Sequence, residues 1–340
     1  MGDMATIFGL SGPTLTKGER VFFRDASPWG FILFARNVET PEQLRRLCAE
    51  IRDSVGRHAM IFIDQEGGRV RRMRPPHWRD YPPASALADI FSIDKDKGLR
   101  ACYLHHRLMA DDLAEVGINA DCAPVLDLPV DGADPIISDR AFGSNAGDIV
   151  EMAHAAMAGL MNGGIAPVIK HIPGHGRATV DSHKALPRIT EPKMQLRLTD
   201  FVPFTALRDA PMAMTAHAVY DCAGNDVPLT LSKAAIDILV RTAIGFDGLL
   251  MSDDLDMKAL SGGLTAKTNR ALAAGCDIAL QCSGLLPDMV NVAKGAKTLQ
   301  GEALRRAKIA DLCTEDKAEF DRPACEREYE DLLFEYAGAA

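Results

Sequence analysis

Residues 165–183 read Ile165-Ala-Pro-Val-Ile-Lys170-His171-Ile-Pro173-Gly174-His175-Gly176-Arg-Ala-Thr-Val-Asp181-Ser182-His183. A short apolar run stops at two polar residues and opens into a loop punctuated by proline and glycine, the pattern of a buried strand that delivers side chains to its carboxyl end. In α/β enzymes that end carries the chemistry. Lys170 and His171 stand where the strand would stop, as rigid ligands for hydroxyl, carbonyl or anionic groups. Pro173, Gly174 and Gly176 make the following loop sharp at one end and pliable at the other, so that it can close over a bound molecule. Asp181 and His183 lie two residues apart, and a carboxylate beside an imidazole can fix its tautomer and raise its basicity. Each histidine alone would more often cap a turn or satisfy a backbone carbonyl, but a lysine, three histidines and an aspartate in one loop point to a site.

Working outward, similar apolar runs recur at Thr6–Leu10, Gly30–Ala35, Met60–Asp64, Ile118–Cys122, Ala166–Lys170, Met212–Ala216, Gly248–Ser252 and Asp277–Gln281, with helix-like segments between them. Strands alternating with helices in this number predict an α/β chain folded as a single-domain (β/α)8 TIM-type barrel over residues 1–340, with a two-domain doubly wound protein as the alternative. The helices carry their own punctuation. Thr40-Pro41-Glu42-Gln43 offers an N-cap, a proline at the first helical position and a capping-box glutamine ahead of Leu44, Leu47, Cys48, Ile51 and Val55. Ser232 precedes the face Ile236, Leu239, Val240, Ala243, and Gly245 ends that helix. Met152, Met157, Leu160 and Met161 read as a core-facing stripe. From about residue 300 the chain becomes charged and helical, a tail expected to pack across the outside of the barrel, with a subunit contact as the other reading.

Length and composition bound the function. The 340 residues, 47% hydrophobic and 25% charged, suit a globular enzyme with a sizeable core. A formal net charge of −9 argues against nucleic acid or an anionic membrane surface as the main partner. Arg69, Arg71, Arg72, Arg74 and Arg79 form a local basic exception, read as a solvated loop or an anion-binding rim. The eight cysteines, at 48, 102, 122, 222, 276, 282, 313 and 325, form no CxxC pair, which suits buried thiols in a reducing compartment. The first residues show neither a basic region nor a long apolar core, and no stretch reaches the length of a membrane span, so a cytoplasmic location is expected.

Other strand ends add candidates. Asp64-Gln65-Glu66-Gly67-Gly68-Arg69 follows the third run, and a carboxylate there could take two hydroxyls of a ligand or merely start a turn. Thr215-Ala216-His217 follows the sixth, with His217 placed to contact a ligand or to support the pocket. The seventh, Gly248-Leu-Leu-Met-Ser252-Asp253-Asp254-Leu-Asp256-Met-Lys258, ends a buried run on a carboxylate that could act as a nucleophile.

The pattern K-H-[FI]-P-G-x-G followed by D-[ST]-H, matched throughout residues 170–183, resembles the signature of family 3 glycoside hydrolases in their single-domain bacterial β-N-acetylhexosaminidase branch. The segments Asp64–Arg72, Ser138-Asp139-Arg140-Ala-Phe-Gly and Ser252-Asp253 resemble the family as well. This resemblance implies a retaining exo-β-N-acetylglucosaminidase that releases terminal N-acetylglucosamine, with muropeptide fragments of cell-wall recycling as substrate and no cofactor or metal. It assigns the nucleophile to Asp253, with Asp254 as the neighbour most easily confused with it, and the acid/base to His183 oriented by Asp181. Asp64, Arg72, Arg140, Lys170, His171 and His217 are the expected substrate-binding residues. A monomer is expected. Because an imidazole is uncharged after losing its proton, phosphorolysis stays open beside hydrolysis. Competing readings are a metal-dependent barrel hydrolase using His171, His175, His183 and Asp253, and a dead sugar-binding protein.

Overall fold

A computed structural model describes residues 2–315 and 317–336. Eight parallel strands, β1 (Met4–Gly9), β2 (Pro28–Leu33), β3 (Met60–Ile63), β4 (Ala120–Asp121), β5 (Ala166–Ile172), β6 (Met212–Thr215), β7 (Leu249–Met251) and β8 (Ala279–Gln281), run in the order β8-β1-β2-β3-β4-β5-β6-β7. The parallel bridge Met251–Ile278 joins the two ends of that order. The result is the expected (β/α)8 barrel. All eight apolar runs hold a strand, and the ends differ by a few residues. β4 is the shortest: Pro124 has no N–H to give the ladder, and beyond Asp121 the link to β5 consists of Val168 N–H to Ala123 O at 3.1 Å and the single bridge Val125–Lys170.

Strand periodicity sorts the core into two layers. Ile7, Ile32, Phe62, Val168, Met214, Met251 and Leu280 point into the barrel. Phe8, Phe31, Ile61, Ile169, Ala213 and Leu250, one residue away, point out to the helices. Those helices are α1 (Lys17–Ala26), α2 (Pro41–Val55), α3 (Ala84–Ile93), α4 (Lys95–Glu115), α5 (Ala146–Asn162), α6 (Lys193–Leu198), α7 (Phe201–Ala206), α8 (Lys233–Ala235), α9 (Leu264–Ala274), α10 (Leu286–Gly295), α11 (Gly301–Leu312) and α12 (Arg322–Tyr336).

Local signals act largely as read. Thr40 Oγ1 accepts the Gln43 amide at 3.2 Å, while Gln43 Oε1 reaches back one residue further than a capping box requires, to the Glu39 amide at 2.9 Å. Ser232 caps Ala235, but Ile236–Ile244 continues α8 as a π-helix. Its wider turn brings Ile244, rather than the expected Ala243, to the buried face. Met161 also departs from its stripe and is exposed at the end of α5.

The tail divides in two. α11 runs under the barrel, where Ala307 and Ala310 join the interior cluster together with Leu299, so this part of the tail closes the floor rather than covering the outside. α12 lies on α4, where Tyr329 is completely buried. Among the described residues no helix is long and apolar enough to cross a membrane.

Candidate active site

The carboxyl ends of the strands converge on a cavity of about 270 Å³, at the small end of ligand pockets. One wall is a knot of charges. Asp64, just past β3, accepts from Lys170 Nζ at 3.0 Å and from Arg72 Nη2 at 2.9 Å. Glu66 accepts from Lys170 at 2.6 Å and holds Arg140 through two bonds of 2.8 Å. Burial alone would raise both carboxyls. Lys170 and Arg72 instead hold Asp64 well below the usual range, and Arg140 with Lys170 brings Glu66 down to about 2. Both are therefore anions at neutral pH, and Lys170, despite its burial, is kept firmly cationic by them.

Sequence-local features build this wall. The Gln65 side chain folds the loop after β3, accepting the Arg72 and Met73 amides at 2.8 and 3.1 Å and donating to Met73 O at 3.0 Å, while the Gln65 backbone N–H is accepted by Asp121. Lys170 and His171 are consecutive, and in a regular strand they would face opposite sides. The pairing of β5 with β6 slips between Lys170 and Ile172, and both side chains line the cavity. Such a bulge re-aims a side chain at a site.

His171 Nδ1 is 2.6 Å from Asp127 Oδ2, which leaves Nε2 as its free nitrogen. Asp127 also takes the His171 and His175 amides at 3.2 and 2.7 Å. His171 and His175 together keep it ionised, although it is fully buried. His175, pushed down to about 4 chiefly by burial, is neutral and stands 3.4 Å from Ser182 Oγ.

Opposite the charged wall, Asp181 Oδ1 accepts both the backbone N–H and Nδ1 of His183 at 2.8 Å. The imidazole is 65% exposed, at the rim of the same cavity. The Ala259 amide binds Ser182 O at 3.1 Å and ties this loop to the one after β7.

That second loop brings in Asp253, whose Oδ1 accepts the Asp254 amide at 2.7 Å. Burial favours its neutral form, but His217 and His171 more than offset this and lower its pKa. Asp254 differs. Its Oδ1 is engaged by the amides of Asp256 and Cys282, both at 3.1 Å, and burial with its acidic neighbours raises its pKa to about 7. Of the adjacent pair, Asp253 is the more acidic and Asp254 is tied to the backbone.

A pH effect follows. The folded pKa of Asp254 lies above its unfolded value, so the native state loses stability as pH rises from the ordinary carboxylate range through about 7. Asp254→Asn keeps the accepting oxygen without the charge. The variant should melt about 2–4 °C above the wild type at pH 8, with the gap closing by pH 4. Melting curves across that range test it, and a gap independent of pH would exclude the titration.

Seven of the nine expected residues line the cavity: Asp64, Arg72, Arg140, Lys170, His171, His183 and Asp253. Asp181 sits behind His183. His217, expected at the substrate, is not among the lining residues; it is buried beneath Asp253 with Nδ1 on Thr230 Oγ1 at 2.8 Å and Nε2 on the Asp254 carbonyl at 3.0 Å. Both ring nitrogens are spent, which makes it a support. Glu66 and Asp127 received no role from the sequence; the only signal for either was an acidic residue in a loop after a barrel strand. Among the described residues no cluster of three or more histidine, cysteine or acidic side chains is arranged to hold a metal ion.

An anionic carboxylate at the floor, a carboxylate-oriented imidazole at the rim and a wall of charged side chains able to take hydroxyl groups form a set suited to two-step displacement at a sugar. The sequence profile of the glycosyl hydrolase family 3 N terminal domain matches residues 23–311. A beta-hexosaminidase of Alkalilimnicola ehrlichii is 38% identical over 281 residues, covering 82% of this chain and 80% of that one. Among solved structures, NagZ from Neisseria gonorrhoeae in complex with N-trifluoroacetyl-D-glucosamine superposes with a TM-score of 0.84 at 29% identity, over 99% of this chain and 98% of that one. A family 3 beta-N-acetylglucosaminidase from Paenibacillus sp. str. FPU-7 also gives 0.84, at 25% identity, over 96% of this chain and 66% of that one.

Proposed function

Because the chain belongs to glycoside hydrolase family 3, we propose that it is a retaining exo-β-N-acetylglucosaminidase in which Asp253 is the nucleophile and His183 the acid/base. The observation that carries this reading is that Asp253 and the Asp181–His183 pair, which arrive on different loops, face one cavity. Asp253 attacks the anomeric carbon while His183 gives its proton to the departing glycosidic oxygen, which leaves a covalent glycosyl-enzyme. His183, now neutral, takes a proton from water as that water attacks the same carbon and releases Asp253. Asp181 holds the imidazole so that Nε2 does this work and balances the charge of its protonated state. Asp64, Glu66, Lys170, Arg72, Arg140 and His171 bind the sugar's hydroxyl and acetamido groups.

The proposed natural substrate is the terminal β-linked N-acetylglucosamine of muropeptide fragments in peptidoglycan recycling. The likeness to NagZ and to bacterial beta-hexosaminidases supports it. The same reading has the protein acting as a monomer in the cytoplasm on a small-molecule substrate, in line with eight free cysteines and a net charge of −9. It requires no cofactor.

The test is hydrolysis of 4-nitrophenyl N-acetyl-β-D-glucosaminide, with the β-glucoside as control and the first-formed product followed by NMR. Chelator-resistant turnover of the glucosaminide in strong preference to the glucoside, with the β-anomer appearing first, is expected. The α-anomer first, or no turnover, would overturn the assignment; N-acetylglucosamine 1-phosphate formed in phosphate buffer would make the protein a phosphorylase.

A further inference from the structure

We infer that α12 sets the sugar-binding wall of the cavity from outside, with Tyr329 acting through His105 as a positioning residue for the loop that carries Asp64, Glu66 and Arg72. The inference rests on the sugar-binding reading of that wall. The loop, residues 64–83, closes on itself. Gly68 donates its amide to Tyr81 O at 2.9 Å, and a Cβ on Gly67 would lie 2.2 Å from Pro82 O, so only a glycine permits the return. Below that crossing sits His105 of α4, since the same Cβ would be 3.3 Å from His105 Nε2 and Cε1.

His105 is fully buried, and burial, reinforced by His106, keeps it neutral. Its Nδ1 is 2.7 Å from the Tyr329 hydroxyl. With the phenol donating to Nδ1, the imidazole proton is on Nε2, which has no hydrogen-bond partner among the described residues and lies against the loop at Gly67. The far end of the loop rests on the same helix. Tyr81 packs edge-on to His105 at 5.0 Å and donates to Asp112 at 2.8 Å, and Asp112 holds Arg322 at 2.6 Å. Arg79 reaches Glu330 at 2.9 Å. No described residue of α12 lines the cavity, so its effect on a bound sugar has to pass through this loop. Glu66 is the point of delivery, because its carboxylate holds both Lys170 and Arg140.

Tyr329→Phe removes one hydroxyl and keeps the ring. Glu328→Ala, also on α12, which cuts the exposed pair with Arg100 of α4, is the control. Backbone hydrogen exchange of residues 64–83 is measured without ligand, the Kd for N-acetylglucosamine by calorimetry, and KM and kcat with the 4-nitrophenyl substrate, all well below the melting temperature. For Tyr329→Phe, loop exchange should accelerate and both Kd and KM rise by about fivefold, with kcat within about twofold of the wild type; the control should change none of these. Unchanged loop exchange, or a lower Tm with Kd and KM intact, would reduce α12 to a stabilising element and overturn the inference. If the wild type itself binds no N-acetylglucosamine, the sugar-binding assignment has failed, and the exchange comparison still decides whether Tyr329 holds the loop.

Discussion

Asp253→Ala is expected to lower kcat for 4-nitrophenyl N-acetyl-β-D-glucosaminide by roughly ten-thousand-fold or more, because no other anion in the cavity is free to bond to carbon. Asp64 and Glu66 are held in ion pairs by Lys170, Arg72 and Arg140. Asp254 has a pKa of about 7 and spends an oxygen on two backbone amides. Alanine removes a buried charge and frees only the Asp254 amide from its Asp253 partner, so the variant should remain folded. Azide supplies a chemical check. A small anion admitted to the vacated space can attack the anomeric carbon from the same face, restoring part of the rate and giving the α-glycosyl azide. Circular dichroism, the residual rate and the azide product decide the outcome. An Asp253→Ala protein that keeps a tenth of wild-type activity, or loss that appears in Asp254→Asn instead, would move the nucleophile.

The second large effect concerns His183. His183→Ala should lower kcat by about 10²–10⁴, the range of general acid–base catalysis, and should change which step limits turnover. 4-Nitrophenolate leaves without much protonation, so the first step survives. Attack by water needs the base, so the second step slows. The variant should therefore show a burst of nitrophenolate and accumulate a covalent adduct on Asp253, visible as added mass equal to one N-acetylhexosaminyl group. The side chain is 65% exposed, so its truncation leaves no buried cavity to confuse the kinetics with unfolding. Asp181→Asn should move in the same direction by a smaller factor, since asparagine can still accept the His183 amide but no longer balances a charged imidazole. A His183→Ala protein with neither burst nor adduct would show that another group serves as the base.

Much of this site is legible in the chain because barrel enzymes place reacting groups where apolar runs end. Asp64, Lys170, His171 and Asp253 each follow or end such a run, and each lines the cavity. The same logic left His217 either at the ligand or supporting the pocket, and only the fold shows Thr230 and the Asp254 carbonyl bonded to its two ring nitrogens, which favours support. Asp127 escapes that logic: it lies 44 residues from His171 and has no signature beyond being acidic, yet it orients that imidazole.

By itself the sequence determined the barrel and the strand ends that carry its chemistry, since strand period, proline and glycine punctuation and the 170–183 motif are all local. The tertiary structure alone decided which of two adjacent aspartates is tied to the backbone, that consecutive residues Lys170 and His171 line one cavity, and that α11 closes the floor while α12 meets His105 through Tyr329. The reason is physical: charge state and hydrogen-bond partners depend on burial and on groups far away in the chain, and these meet only when the barrel closes.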